Sequence, residues 1–183
     1  LLAAQLGVGA CAASAFDATY YAETNPDVAA ACGTDEASLL RHYLSSGQAE
    51  GRKPSARGKA GDSLKLTNEQ IVLVWSPVPL KDLANYKSLK KKMTDEQYQA
   101  AYQEAVNLVL PVALSSREEQ LTYIAAALRE RFDSGMSYSM DADHYNDPYG
   151  YFVLGSASCA GCTRATGLCL NVLGISYEHV NEN

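Results

Sequence analysis

Hydrophobic residues recur at helical spacing in two consecutive segments in the middle of the chain. Thr94 with Gln97 three residues later forms a capping box, and Ser116 with Glu119 repeats this signal. After each box, apolar residues return every three or four positions. We therefore predict two helices that each turn one apolar face to a core: Tyr98, Ala101, Tyr102, Ala105 and Val109 in the first, and Leu121, Ile124, Ala125, Leu128 and Phe132 in the second.

Residues 16–56 have the pattern of a small helical module. A helix is predicted over residues 35–46, with Thr34 as its N-cap and Gly47 as its end. The segment resembles a short module of bacterial secreted and surface proteins, through its F-D-x-x-Y-Y start and its E-G-R end. That resemblance implies export but no chemistry.

A change of composition follows this module. Residues 57–62 belong to a stretch that is rich in Gly, Lys and Arg and has no apolar periodicity, so they predict a flexible linker. The linker predicts a domain boundary, with residues 63–183 forming the second domain. Around residues 71–75 the pattern fits a strand or a helical turn, and we predict no element there.

The first 15 residues are uncharged and end in Ala13-Ser14-Ala15, a small-x-small pattern that signal peptidases cleave. We interpret residues 1–15 as the remnant of a secretory signal, which places the protein outside a bacterial cell or on its surface. An ordinary N-terminal helix and a lipid-modified Cys11 are the alternatives.

Composition narrows the class of protein. A chain of 183 residues with 47% apolar and 20% charged residues has room for one catalytic domain and a small module. The net charge of -6 argues against a nucleic-acid partner. The only basic cluster, residues 87–92, is interpreted as a solvated helix face.

A long tyrosine-rich connection is predicted over residues 133–158. Its aspartates have the spacing that opens an EF-hand loop, but Asn146 stands at the glycine position and Phe152 at the closing glutamate position. We therefore predict no metal site and interpret the aspartates as a solvated acidic loop; they are Asp141, Asp143 and Asp147.

Cys159 follows this connection at a predicted helix start. Ser158 is placed to cap a helix that runs through Leu173 and ends at Gly174, and a strand is predicted over residues 175–180. A thiol in the first turn of a helix faces unsatisfied N–H groups and the positive end of the helix dipole. Both features stabilise a thiolate, so Cys159 is the candidate nucleophile.

Residues 159–180 resemble the cysteine motif of the transglutaminase-like superfamily. Cys159 and Gly161 match its Cys-x-Gly start, and a helix ending in Leu-Gly-Ile is followed by a predicted strand. Cys162 stands where an aromatic residue is common, and Thr163 where a small residue is usual. The resemblance implies an α+β, papain-like domain in which the nucleophile helix packs on an antiparallel sheet, most of it missing from residues 63–183.

The same resemblance implies an enzyme that acts on amide bonds of a protein or peptide substrate through an acyl-enzyme on Cys159. Hydrolysis is preferred to cross-linking because water is always available, and no cofactor is expected. The family uses a later, strand-borne histidine as base, oriented by Asp or Asn. His179 comes too early for that role, His144 precedes the cysteine and His42 lies in the module, so the base is expected beyond Asn183.

Other interpretations remain open. Cys159 and Cys162 have the C-x-x-C spacing of a dithiol redox pair. Zinc would need a second ligand pair, which the sequence lacks. Cys162 and Cys169 share a helical face and are predicted to be small buried residues. A noncatalytic surface or scaffold protein, associated with the cell wall and retaining a degenerate transglutaminase-like fold, is the alternative function. The sequence predicts no oligomeric state.

Overall fold

The structure is a computed structural model, and it describes residues 14–178. The chain divides into two compact units, Leu1–Val74 and Trp75–Asn183. None of the described helices is long and apolar enough to cross a membrane. The predicted signal remnant falls almost entirely outside the described residues.

The described part of the first unit is helical. Its elements are α1 (Ala18–Thr24), α2 (Pro26–Cys32), α3 (Glu36–His42), a π-helical turn (Tyr43–Gly47) and α4 (Asn68–Val74). Aromatic and branched side chains from α1 to the π-helical turn are buried together, which gives this unit a core of its own: Phe16, Tyr21, Val28, Leu39, Leu40 and Tyr43.

The helix predicted in this unit has a different N-cap. Asp35, rather than Thr34, is the N-cap of α3, because its carboxylate accepts a hydrogen bond from the Ser38 amide at 2.9 Å. The helical path widens into a π-helical turn at Tyr43, and Gly47 is the last residue of that turn, so the path ends at Gly47 as predicted. A Cβ on Gly47 would meet the Tyr21 hydroxyl, so this glycine also permits close packing.

The predicted linker at residues 57–62 is a hydrogen-bonded turn of the first unit. The Asp62 carboxylate accepts from the Ser14 hydroxyl at 2.6 Å and from the Lys59 amide at 2.7 Å, and the Tyr43 hydroxyl donates to the Asp62 carbonyl at 2.6 Å. Residues 63–74 also belong to this unit, where Ile71 of α4 is buried. The boundary therefore lies after Val74 and not after residue 62.

In the described part of the second unit, three α-helices precede a small sheet along the chain and one α-helix follows it. Its elements are a 3₁₀ turn (Leu80–Asp82), α5 (Tyr86–Lys90), α6 (Asp95–Val109), a 3₁₀ turn (Leu110–Val112), α7 (Arg117–Asp133), β1 (Ser137–Tyr138), a π-helical turn (Gly150–Leu154), β2 (Ser156–Ala157) and α8 (Cys159–Val172). The core of the unit is built largely from α6 and α8.

The two capping boxes are confirmed. The Thr94 hydroxyl accepts from the Gln97 amide, and the Gln97 side chain accepts from the Thr94 amide at 2.9 Å; Ser116 and Glu119 form the same pair at the start of α7. All five apolar positions predicted for α6 are buried. The face predicted for α7 is wrong at Leu121, which is 44% exposed, and at Ala125, which is also exposed.

The α+β class is confirmed, since helices occur with a short sheet. Ser137 pairs with Ser156, and Tyr138 with Ala157, in a parallel arrangement. The one sheet found in residues 14–178 is therefore parallel rather than antiparallel. The papain-like arrangement that the resemblance implies stays a proposal.

Gly174 ends α8 as predicted. It adopts a left-handed conformation with φ 76°, and its amide donates to the Asn171 carbonyl at 3.0 Å. The Ile175 amide donates to the Leu170 carbonyl at 2.9 Å, which completes a Schellman motif. Residues 175–178 form no strand, and the amide of Ile175 is bound to the helix end instead. Residues 179 and 180 lie outside the described residues.

Candidate active site at the start of α8

Cys159 is the first residue of α8, and its side chain is exposed as a free thiol. Ser158 is the N-cap, as predicted: its hydroxyl accepts from the Gly161 amide at 3.4 Å, and its carbonyl accepts from the Cys162 amide at 2.9 Å. Among the described residues, the amides of Cys159 and Ala160 have no acceptor. Two unsatisfied N–H groups therefore lie beside the thiol.

The loop at residues 144–147 fixes the start of α8. The Ser158 amide donates to the Tyr145 carbonyl at 2.8 Å, and Arg164 Nη1 donates to the Asn146 carbonyl at 2.8 Å. Gly161 makes this approach possible, since a Cβ there would overlap the Tyr145 carbonyl oxygen. The glycine of the Cys-x-Gly pattern thus has a steric reason in this fold.

Cys159 opens into a cleft of about 350 Å³. The side of the cleft formed by α8 contains Ala160, Thr163 and Arg164 besides the thiol. Its other lining residues come from α5, the turn before it and the segment after α8: Asn85, Ser88 and Tyr177. A thiol in a cleft of this size, with both polar and apolar lining, is accessible to a small substrate group or a short peptide.

Two hydrogen-bonded asparagines, a buried Asn171 and a half-buried Asn85, hold the far wall of the cleft against α8. Asn171 is 1% exposed; its Oδ1 accepts from the Asn85 amide at 2.7 Å. Its Nδ2 donates to Asn85 Oδ1 at 3.0 Å and to the Ile175 carbonyl at 3.1 Å. The Asn85 side chain in turn donates to the Tyr177 carbonyl at 3.3 Å. This network positions Asn85 and Tyr177, the two described lining residues that lie outside a helix.

Tyr177 lies across α8. Its ring occupies the space in which a Cβ on Gly167 would stand, so the ring rests directly on the helix backbone. Burial raises the pKa of the Tyr177 phenol, and the nearby Arg164 charge opposes that shift. The phenol is thus a neutral hydroxyl beside the cleft at physiological pH.

The other cysteines of this unit differ from Cys159 in their surroundings. Cys162 is half-buried and lines a separate hollow with Leu128, Phe132 and Tyr151. Burial, and next the neighbouring Cys159, raise the pKa of its thiol. Cys169 is fully buried, as predicted, and burial raises its pKa to about 12. Of these three cysteines, only Cys159 is exposed and lines the larger cleft.

His144 belongs to a hydrogen-bond network next to the site. Its Nδ1 lies 2.7 Å from Asp147 Oδ2, and its Nε2 lies 3.1 Å from Gln97 Nε2. Because Gln97 Oε1 already accepts from the Thr94 amide, the Gln97 amide group donates to His144 Nε2. His144 therefore carries its proton on Nδ1 and donates it to Asp147.

Asp147 corrects the interpretation of a solvated acidic loop. This residue is 1% exposed, and its other oxygen accepts from the amides of Tyr149 and Gly150 at 3.0 and 3.2 Å. The buried Asp147 carboxylate therefore holds the loop together through its hydrogen bonds to His144, Tyr149 and Gly150. Asp141 and Asp143 are exposed as predicted.

No histidine lines the cleft among residues 14–178. His144 faces Gln97 and Asp147, and His42 contacts Tyr21 in the first unit at 3.0 Å. His179 lies outside the described residues. Within the described part of the chain, no group of three His, Cys, Asp or Glu side chains is placed to hold a metal ion.

Sequence reasoning missed most of the cleft. Asn85 and Asn171 are 86 positions apart, and no local pattern connects them. Arg164 and Tyr177 were not predicted to share a site with Cys159. One signal was present for Tyr177, because Gly167 in the middle of a helix often marks the close approach of another group.

Comparisons with known proteins do not identify the chain. No protein-family model matches it, and no curated protein or solved structure gives a significant match. A family assignment therefore depends on the residues of α8 and their geometry.

Proposed function

We propose that the chain carries the nucleophile of a transglutaminase-like cysteine enzyme that acts on amide bonds of a peptide or protein. The observation that carries the proposal is the position of Cys159: an exposed thiol, first in its helix, that opens into a cleft. Supporting it, Gly161 of the same motif is required sterically by the docked loop. The transglutaminase-like, papain-like core remains part of this proposal.

The chemistry proceeds in two steps. The Cys159 thiol gives up its proton, the thiolate attacks the carbonyl carbon, the C–N bond breaks, and the amine leaves with that proton while the acyl group remains as a thioester. Water then attacks the thioester, the C–S bond breaks, and a carboxylic acid leaves as the thiol is restored. The free amides of Cys159 and Ala160 support binding of the oxyanion in both steps.

The general base is assigned to none of the described histidines. His144 is held by Asp147 and Gln97, and it does not line the cleft. In the proposed family this role belongs to a histidine that follows the cysteine in the chain. Hydrolysis is preferred to transfer, since water is the more abundant acceptor. A secreted or surface-attached location belongs to the same proposal.

The test compares two cysteine variants of the intact natural protein. Cys159→Ala should lower turnover of a glutamine-containing peptide by about 1,000-fold or more, because no other thiol lines the cleft in the described part of the chain. Cys162→Ser should retain most of the turnover, since its side chain lines a different hollow. Mass spectrometry of the wild type should detect the acyl group on Cys159.

Two results would redirect the assignment. Equal loss of function in both variants, with a disulfide between Cys159 and Cys162 under oxidation, would favour a thiol oxidoreductase. Full turnover in Cys159→Ala, or no turnover and no acyl adduct in the wild type, would favour the noncatalytic surface protein.

A further inference from the structure

We infer that the Cys159 cleft selects substrates that carry a negative charge close to the scissile amide, and that Arg164 recognises this charge. The inference rests on the proposed function and adds a substrate class to it. Its basis is the distribution of charge and of unused hydrogen-bond donors around the thiol.

Among the described residues that line the cleft, Arg164 is the one with a charged side chain. Only its Nη1 is engaged, with the carbonyls of Asn146 at 2.8 Å and Ala160 at 3.5 Å. The Nε and Nη2 groups have no acceptor among residues 14–178. A guanidinium anchored through one nitrogen keeps a fixed orientation and still offers the two donors that bind a carboxylate.

The described lining of the cleft carries no charge that opposes Arg164. No aspartate or glutamate lines it within the described residues. Exposed charged residues near the lining in sequence are of both signs: Lys87 and Lys91 in and after α5, Asp82 before Asn85, and Glu178 after Tyr177. Lys90 is paired with Asp95. The charge preference is therefore assigned to Arg164 itself.

The Arg164 side chain reaches back to the first turn of α8. Arg164 comes five positions after Cys159, roughly 7.5 Å along the helix axis, but its Nη1 lies 3.5 Å from the carbonyl of Ala160, the residue after the thiol. Since an extended peptide advances about 3.4 Å per residue, the recognised carboxylate lies within two residues of the attacked carbonyl.

The first experiment measures charge preference without requiring turnover. Cys159 of the full chain is alkylated with iodoacetate and with iodoacetamide, two reagents of similar size that differ in charge, and peptide mass spectrometry gives each rate. Cys32, an exposed cysteine of the first unit, serves as the internal reference. The iodoacetate-to-iodoacetamide rate ratio should be about 3- to 10-fold higher at Cys159 than at Cys32 at low salt.

Variants then assign the preference to the guanidinium. Arg164→Gln should bring the iodoacetate-to-iodoacetamide ratio at Cys159 close to that at Cys32, and Arg164→Lys should retain part of the difference. Arg129→Gln is the matched control, because it removes one positive charge beside the separate hollow. Added salt should reduce the wild-type ratio, which a purely structural effect of Arg164 would not produce.

A second arm uses turnover by the intact natural protein. A glutamine peptide with glutamate two residues from the reactive amide should show a kcat/KM several-fold above its glutamine-for-glutamate counterpart, and Arg164→Gln should remove that difference. A wild-type ratio at Cys159 equal to that at Cys32, or one unaffected in Arg164→Gln, would overturn the inference whatever the turnover. An Arg164-dependent ratio without any turnover would support the anion preference and count against the proposed enzyme.

Discussion

At the residue scale, the cleft depends on a single buried amide side chain. The Asn171 oxygen accepts one hydrogen bond, and both hydrogens of its Nδ2 group are donated. Every buried side-chain nitrogen and oxygen of the described residues has a hydrogen-bond partner. A buried polar group that is fully hydrogen-bonded specifies one arrangement of its neighbours, because any shift leaves a desolvated donor or acceptor.

Removing that side chain should be costly. Asn171→Ala leaves the Asn85 amide, the Asn85 carboxamide oxygen and the Ile175 carbonyl without their partner, so we expect a loss of about 3 kcal/mol in the free energy of unfolding. Asn171→Asp should cost at least as much, because a carboxylate would face two oxygen acceptors. Urea denaturation measures both.

The control for this prediction is Asn107→Ala on the exposed side of α6, where the expected change is within about 0.5 kcal/mol. An Asn171→Ala variant as stable as the Asn107→Ala variant would show that the network does not hold the cleft walls.

The start of α8 illustrates the element scale. A helix end with a side-chain cap, a docked loop and two free amides requires the loop backbone to approach the helix closely. Gly161 permits this approach at the third position of the helix. The loop and the helix therefore form one unit, and the geometry of the thiol depends on both.

Gly161→Ala tests this dependence, because the docked loop predicts that the variant is destabilised rather than stabilised. Helix propensity alone would stabilise the variant by about 1 kcal/mol. The clash with the Tyr145 carbonyl should outweigh that gain and lower the stability by about 2 kcal/mol. Faster hydrogen exchange at the Ser158 amide should accompany the loss, since this amide donates to Tyr145. A stabilised variant with an unchanged Ser158 amide would contradict the docked loop.

Local signals predicted elements well, and long-range contacts limited the rest. The capping boxes of α6 and α7, the Ser158 cap and the Gly174 end all depend on neighbours within a few residues, which the sequence displays directly. Thr34 was predicted in place of Asp35 because both residue types cap helices and lie side by side. The strand predicted after α8 failed because Ile175 is bound into the helix end.

The candidate site likewise has a part that local sequence signals predict and a part that depends on long-range contacts. Cys159 and its cap follow from the pattern of one segment. The walls at Asn85 and Tyr177 depend on Asn171, and the burial of Asp147 depends on the ring of His144 and on two loop amides. None of these contacts has a periodic signature, so the sequence indicated the nucleophile but not its surroundings.

At the scale of the whole molecule, the two units have separate cores. The first buries Tyr21, Leu39 and Leu40 among its helices, and the second is centred on α6 and α8. Residues 63–74 decide where the first unit ends. Leu64, Leu66 and Val74 pack against its core, and Ile71 is buried. The Ser14 amide and carbonyl bond the backbone of Ser63 and Lys65.

Fragments distinguish the structural boundary from the one that composition predicts. Residues 1–74 should unfold cooperatively on their own, whereas residues 1–62 should lose most of their helical circular dichroism, because a domain of this size is marginal and cannot lose α4 and the apolar residues before it. Residues 75–183 should keep the urea midpoint that the second unit shows in the whole chain. If 1–62 were as stable as 1–74, the turn at residues 57–62 would be the true linker, and the packing of α4 would contribute nothing to the first unit.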